Sequence, residues 1–130
     1  MILDSSFLID LMKGDDAAIE AAREIEDANV PQKVPTQVVY ELYVGVGYSE
    51  NASREVEKIR SVLRSRPVID LTEDVAKHAG RIDGQLRDEG SRIGQGDVRI
   101  AATAIRHDEP VITGNPTDFD RIPDVEVREY

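Results

Sequence analysis

The run DVRIAATAIRHDEPVIT, Asp97–Thr113, decides the fold. Its first part, DVRIAATAIRH, is apolar on most faces, which predicts a buried helix. PVIT (Pro110–Thr113) then reads as a short strand, so a helix feeds into a strand within one short stretch. The same alternation continues outward. Met1–Asp4 (MILD) predicts a buried strand, and Phe7, Leu8, Leu11 and Met12 follow at helical spacing as far as Gly14. Asp15 and Asp16 suit the start of a second helix, with Ile19, Ala22 and Ile25 along one face. Val30-Pro31 and Val34-Pro35 bracket an extended piece whose prolines fit a brief or edge strand.

Thr36 is the expected N-cap of a helix running to about Tyr48, and Val56, Ile59, Val62 and Leu63 mark another that ends before Pro67. Val68–Leu71 is strand-like. Thr72, Glu73 and Asp74 open a helix whose stripe is Val75, Ala79, Ile82 and Leu86. The segment Gly90–Gly96 is a glycine-punctuated loop, Asn115-Pro116 signals a turn, and Val125–Val127 is the last strand candidate. Strands separated by helices imply parallel pairing, hence an α/β fold: a small parallel sheet with helices on both faces. In such sheets ligands bind outside the carboxyl ends of the strands.

Composition narrows the class. The chain has 130 residues, 40% of them apolar and 32% charged, and no cysteine, which suits a single domain, residues 1–130. No apolar run approaches the ~18 residues of a membrane span, and no basic region precedes the first apolar stretch. Transmembrane, disulfide-framework, collagenous and disordered classes are excluded, and a soluble protein of the cytoplasm is expected. The 26 acids against 16 basic residues give a net charge of −10, and 12 of the basic residues are Arg. So negative a surface disfavours non-specific nucleic-acid binding. Most of the acids read as a solvated coat of the kind that suits high salt.

A few acids fall where ligands bind. Asp4 ends the first strand; capping the next helix is its competing explanation. Glu41 lies in VVYELYV among apolar neighbours, where a carboxylate must be paired, coordinated or neutralised. Asp97 heads the most apolar helix, a position that also suits a cap. Thr113, Asn115 and Asp118 follow the strand PVIT, whereas Asp120 reads as surface. His78 and His107 lack a second imidazole at metal spacing and read as ordinary helix residues. An all-oxygen set favours Mg²⁺ or Mn²⁺ over zinc.

Three blocks, MILDSSFLIDLM, TQVVYELYVG and GQGDVRIAATAIRHDEPVITGNPTDFDRIP, together resemble PIN domains of the VapC-type toxin ribonucleases, over Met1 to about Val127. The resemblance implies a three-layer α/β/α fold and a Mg²⁺- or Mn²⁺-dependent endoribonuclease acting on single-stranded regions of RNA. Asp4, Glu41 and Asp97 match the family acids, as catalytic residues and metal ligands. The fourth acidic position holds Asn115, with Asp118 three residues further on; either one could serve there. Ser6 and Thr113 match supporting hydroxyls. Arg92 and Arg99 are candidate phosphate contacts, as are Arg54, Arg60 and Arg64, and all five equally suit a solvated face. A homodimer and a VapB-like antitoxin are the implied protein partners. The antitoxin would block the crevice, with an Arg among the carboxylates. The face of Val56, Ile59 and Leu63 suits either an interface or core packing.

Rival classes fit less well. A haloacid-dehalogenase-like phosphatase needs a second Asp where Ser6 stands, and a receiver domain needs a late Lys, yet none follows Lys77. A catalytically inactive PIN-like RNA-binding or scaffold module is the remaining alternative, on account of Asn115.

Overall fold

Ile2 and Leu3 are fully buried and form β1 (Ile2–Leu3) in the computed structural model, which describes residues Met1–Tyr130. The chain turns at once into α1 (Ser5–Lys13), which stops at Gly14 because a left-handed residue, φ 76°, ends the helix cheaply only as glycine. Asp15 then caps α2 (Asp16–Asp27), its side chain accepting the Ala18 N–H at 2.9 Å. β2 (Val34–Pro35), α3 (Thr36–Tyr48), α4 (Ala52–Leu63) and β3 (Val68–Ile69) follow. Thr72 caps α5 (Glu73–Asp88), whose stripe Val75, Ala79, Ile82 and Leu86 is wholly buried. The chain ends with α6 (Gln95–His107), β4 (Val111–Ile112), α7 (Pro116–Phe119) and β5 (Val127–Arg128).

Every strand pairing is parallel: β1 with β4, β4 with β5, and β2 with β3. A bridge between Ile2 and Lys33 joins the two groups, so the strands lie in the order β3-β2-β1-β4-β5. The chain therefore moves one way from β1 to β3, then crosses back to β4 on the other side of β1. By the right-handed rule for parallel crossovers α1–α4 fall on one face and α5–α7 on the other, and the helices pack mainly within these two groups. This is the α/β/α sandwich expected. It also makes the carboxyl ends of β1 and β4 the switch point where a crevice opens.

Several boundaries differ from the sequence pattern. Thr36 is the first residue of α3 rather than its cap; its hydroxyl accepts the Leu71 N–H at 3.1 Å and ties α3 to the end of β3 instead. The turn at Asn115 leads into the short helix α7, because Pro116 suits a first helical position and Phe119 is drawn into the core. β5 lies further along than Val125–Val127; Val125 packs against the core outside the strand. Gly96 belongs to α6, not to the loop before it. Ile59 and Val62 are buried and Leu63 packs against them, so core packing accounts for that face of α4. No helix is long and apolar enough to cross a membrane.

Candidate metal centre

Asp4 occupies the N-cap position of α1 yet makes no capping bond. Its carboxylate turns instead towards the end of β4. Oδ2 accepts the Thr113 hydroxyl at 2.7 Å and the Ser6 hydroxyl at 2.9 Å. Each hydroxyl has one proton and both go to Asp4, so the 3.2 Å approach of Ser6 to Thr113 is left without one. The backbone completes the set: Gly114 N–H donates to Ser6 Oγ at 3.0 Å and Asn115 N–H to Thr113 Oγ1 at 3.0 Å. Asp4 is only 4% exposed, and its other oxygen, Oδ1, is buried with no partner at all. An orphaned carboxylate oxygen costs several kcal/mol unless a cation meets it.

Glu41 reaches the same region from α3. Ser5 donates to its Oε1 at 2.8 Å, and Gln37, one helical turn earlier, to its Oε2 at 3.0 Å. Arg99 of α6 holds Gln37 in turn, at 3.4 Å. These bonds explain how a carboxylate is tolerated among Val38, Leu42 and their neighbours. Helix α6 comes close because Gly96 has no side chain: a Cβ there would stand 2.7 Å from Glu41 Oε2 and 3.1 Å from Gln37 Nε2.

Asp97 lies in the first turn of α6, and the helix start at Gly94 has no side-chain cap. Asp97 thus stands inside the first turn rather than at the cap position, while Asp4, which does hold the cap position of α1, makes no capping bond. The Asp97 carboxyl is pushed up to about 7, first by burial, then by the charge of Asp4, by a hydrogen bond and charge from Asp118, and by the charge of Glu41. Like charges ~4 Å apart repel by ~4 kcal/mol near a protein surface, so such a group needs a proton or a cation. No three carboxylates close around a single ion-sized point. That openness fits an ion that keeps several waters and takes few protein oxygens, as Mg²⁺ does.

The structure therefore brings Asp4, Glu41, Asp97 and Asp118 together, with Ser6 and Thr113 as their hydroxyl supports. Asn115 lends its backbone, while its exposed residue sits at the start of α7 without a side-chain cap bond. Arg99 faces the site through Gln37. Arg92 is exposed in the loop before α6, and Arg54, Arg60 and Arg64 are exposed along α4 and its end. Sequence reasoning missed Ser5, Gln37 and Gly96. Gln37 could have been found, since it precedes Glu41 by one helical turn; Gly96 could not, because its role needs the distance between two helices.

The family model described as PIN domain matches residues 1–125. The chain is 31% identical to the ribonuclease VapC19 of Mycobacterium tuberculosis over 96% of each chain. It is 32% identical to the ribonuclease VapC2 of Haemophilus influenzae over 68% of this chain and 67% of that one. In fold it is similar to VapBC2 from Rickettsia felis, solved bound to a DNA fragment from its promoter, with a TM-score of 0.92, 23% identity and 99% and 97% of the two chains covered.

Proposed function

The chain belongs to the PIN-domain family, at home among its VapC ribonucleases, and from that premise we propose that it is a Mg²⁺- or Mn²⁺-dependent endoribonuclease. Its substrate is RNA cut in single-stranded regions, where bases and backbone are splayed enough to enter a crevice. The observation that carries the reading is the buried, unpartnered Oδ1 of Asp4, beside an Asp97 whose carboxyl is raised by burial and by the charges of Asp4, Asp118 and Glu41.

Asp4 would hold the ion through that oxygen, with Asp97 and Glu41 as the other ligands, directly or through water. Asp118 lies close enough to Asp97 to raise its carboxyl, so it would border the ion's waters. Ser6 and Thr113 keep Oδ2 of Asp4 occupied, so the carboxylate cannot swing. A bound divalent ion supplies a Lewis acid that offsets charge on the phosphate and makes water acidic enough to attack it at neutral pH. Asp97 would hold the ion as a carboxylate, giving up the proton that its raised pKa favours. Arg99, and Arg92 from the glycine loop, contact substrate phosphates, giving local positive charge on a chain whose net charge is −10.

The protein acts as a cytoplasmic toxin held in check by a VapB-like antitoxin. A cleft of about 320 Å³ lined by Ile9, Met12, Leu42 and Ile59 runs up to Glu41 and supports the docking of an inhibitory segment there. A homodimer is the working assembly; the exposed Tyr40, Tyr43 and Tyr48 of α3 offer an apolar face for it.

The test is incubation of RNA with the purified chain and Mn²⁺, followed by sequencing of the cut ends. The wild type cuts at defined unpaired sites, and folded Asp4→Asn and Asp97→Asn variants do not. Equal cutting by all three, or none by the wild type, overturns the reading.

A further inference from the structure

Asp10 and Tyr130 take no part in the mechanism above, yet they abut it. Asp10 follows Ser6 by one turn of α1, on the same face. The Tyr130 hydroxyl donates to Asp10 Oδ2 at 2.5 Å, and its ring meets the buried Phe7 ring edge-on, centroids 5.1 Å apart at 70°. Gly114, next to Thr113, passes directly beneath. A Cβ on Gly114 would stand 2.7 Å from Tyr130 Oη, 3.4 Å from Cζ and 3.5 Å from Asp10 Oδ2. Position 114, two residues beyond β4, is therefore glycine because the tyrosine hydroxyl fills the space. Burial, and then the bond to Asp10, raise the pKa of that hydroxyl well above its ordinary value, so it stays a donor at any physiological pH.

The contacts form one chain. Tyr130 is pinned by Phe7 on its ring and Asp10 on its hydroxyl, and it sits against Gly114. Gly114 in turn fixes Ser6 through its N–H, and Ser6 holds Oδ2 of Asp4. We propose that Tyr130 is a positioning residue for the metal centre: anchored on Asp10 and pressed over Gly114, it sets the turn after β4 and the Ser6 hydroxyl so that Asp4 offers Oδ1 to a divalent ion. The inference rests on the metal-dependent reading of the site.

Binding of Mn²⁺ alone, followed by the resonance of the free ion, tests it on four folded proteins: the wild type, Tyr130→Phe, Gly114→Ala and the double variant. Tyr130→Phe keeps the ring against Phe7 and loses only the hydroxyl; it binds Mn²⁺ about 10-fold more weakly, the low end of what loss of an outer support of a metal ligand costs. Gly114→Ala weakens binding similarly, because the new methyl strikes Oη. In the double variant that oxygen is gone, so binding is no weaker than in Tyr130→Phe alone. A purely structural role would lower the melting temperature and leave Mn²⁺ affinity unmoved. Tyr130→Phe binding Mn²⁺ as tightly as the wild type, or a double variant in which the two losses multiply, overturns the inference. RNA cutting by the same proteins separates the two readings. A wild type that takes up Mn²⁺ and leaves RNA whole sinks the nuclease alone, with the losses in the variants still supporting Tyr130. A wild type that cuts RNA while Tyr130→Phe binds Mn²⁺ equally well sinks the role of Tyr130 alone.

Discussion

Replacing Asp97 by Asn should make the metal-free protein more stable at pH 8, although it removes a residue of the functional site. The carboxyl of Asp97 is raised to about 7 by burial and by Asp4, Asp118 and Glu41. Between its ordinary value and about 7 the folded state therefore binds more protons than the unfolded state, and stability falls as pH rises through that window. Above it the penalty is fully present; below the ordinary carboxylate value it is absent. A shift of this size is about a thousandfold in proton affinity, a ceiling of ~4 kcal/mol. Solvent reaching the half-buried side chain reduces this to ~1–2 kcal/mol. For a domain of this size that is a melting-temperature difference of about 3–10 °C. Calorimetry in EDTA at pH 5 and pH 8 measures it. The wild type should lose stability between the two, and Asp97→Asn should lose less and melt higher at pH 8. Adding Mn²⁺ should reverse the order, since the ion stabilises only the form that binds it. An Asn variant that melts at or below the wild type at pH 8 in EDTA would refute the idea that these acids repel one another across one pocket.

Two further outcomes follow from single distances. Thr113→Val removes the hydroxyl 2.7 Å from Asp4 and leaves a buried carboxylate under-satisfied, so denaturant unfolding should show a loss of ~1–3 kcal/mol together with weakened Mn²⁺ binding. Thr113→Ser, which keeps the hydroxyl, should retain most of both. Gly96→Ala places a methyl 2.7 Å from Glu41 Oε2 and 3.1 Å from Gln37 Nε2, so the Glu41 carboxylate must shift from its place. It should cost ~1–3 kcal/mol by overpacking and abolish RNA cutting in a protein that still folds; retained cutting would mean that Glu41 can move without consequence.

What the sequence reveals here depends on whether its cause is local. The stripe Val75, Ala79, Ile82 and Leu86 needs only helical geometry, and all four residues are buried as their spacing predicts. Asp15, Gly14 and Thr72 act on their own neighbours, and each does so as read. Thr36 misleads because its hydroxyl has a better partner in Leu71, which is distant in sequence. The brief strands hid their order: that β1 lies between β2 and β4 follows from pairings such as Ile2 with Lys33 and Val111, which no local pattern contains. Asp4, Asp97 and Asp118 were readable as candidates from their places after strands and at helix starts, and Glu41 from its apolar neighbours in VVYELYV. Their convergence was not, because Asp4, Glu41 and Asp97 come from three elements whose closeness depends on Gly96 and on the hydroxyls of Ser5, Ser6 and Thr113. Likewise no local pattern marks Tyr130, whose place depends on Gly114 and Asp10, both distant in sequence.

The most direct measurement is anomalous diffraction from a crystal of the wild-type protein soaked in Mn²⁺. The account predicts a manganese peak within bonding distance of Asp4 Oδ1, ~2.1–2.2 Å, with Asp97 and Glu41 reached directly or through one water. A peak elsewhere on the molecule, or Asp4 Oδ1 still unpartnered at saturating Mn²⁺, would contradict it.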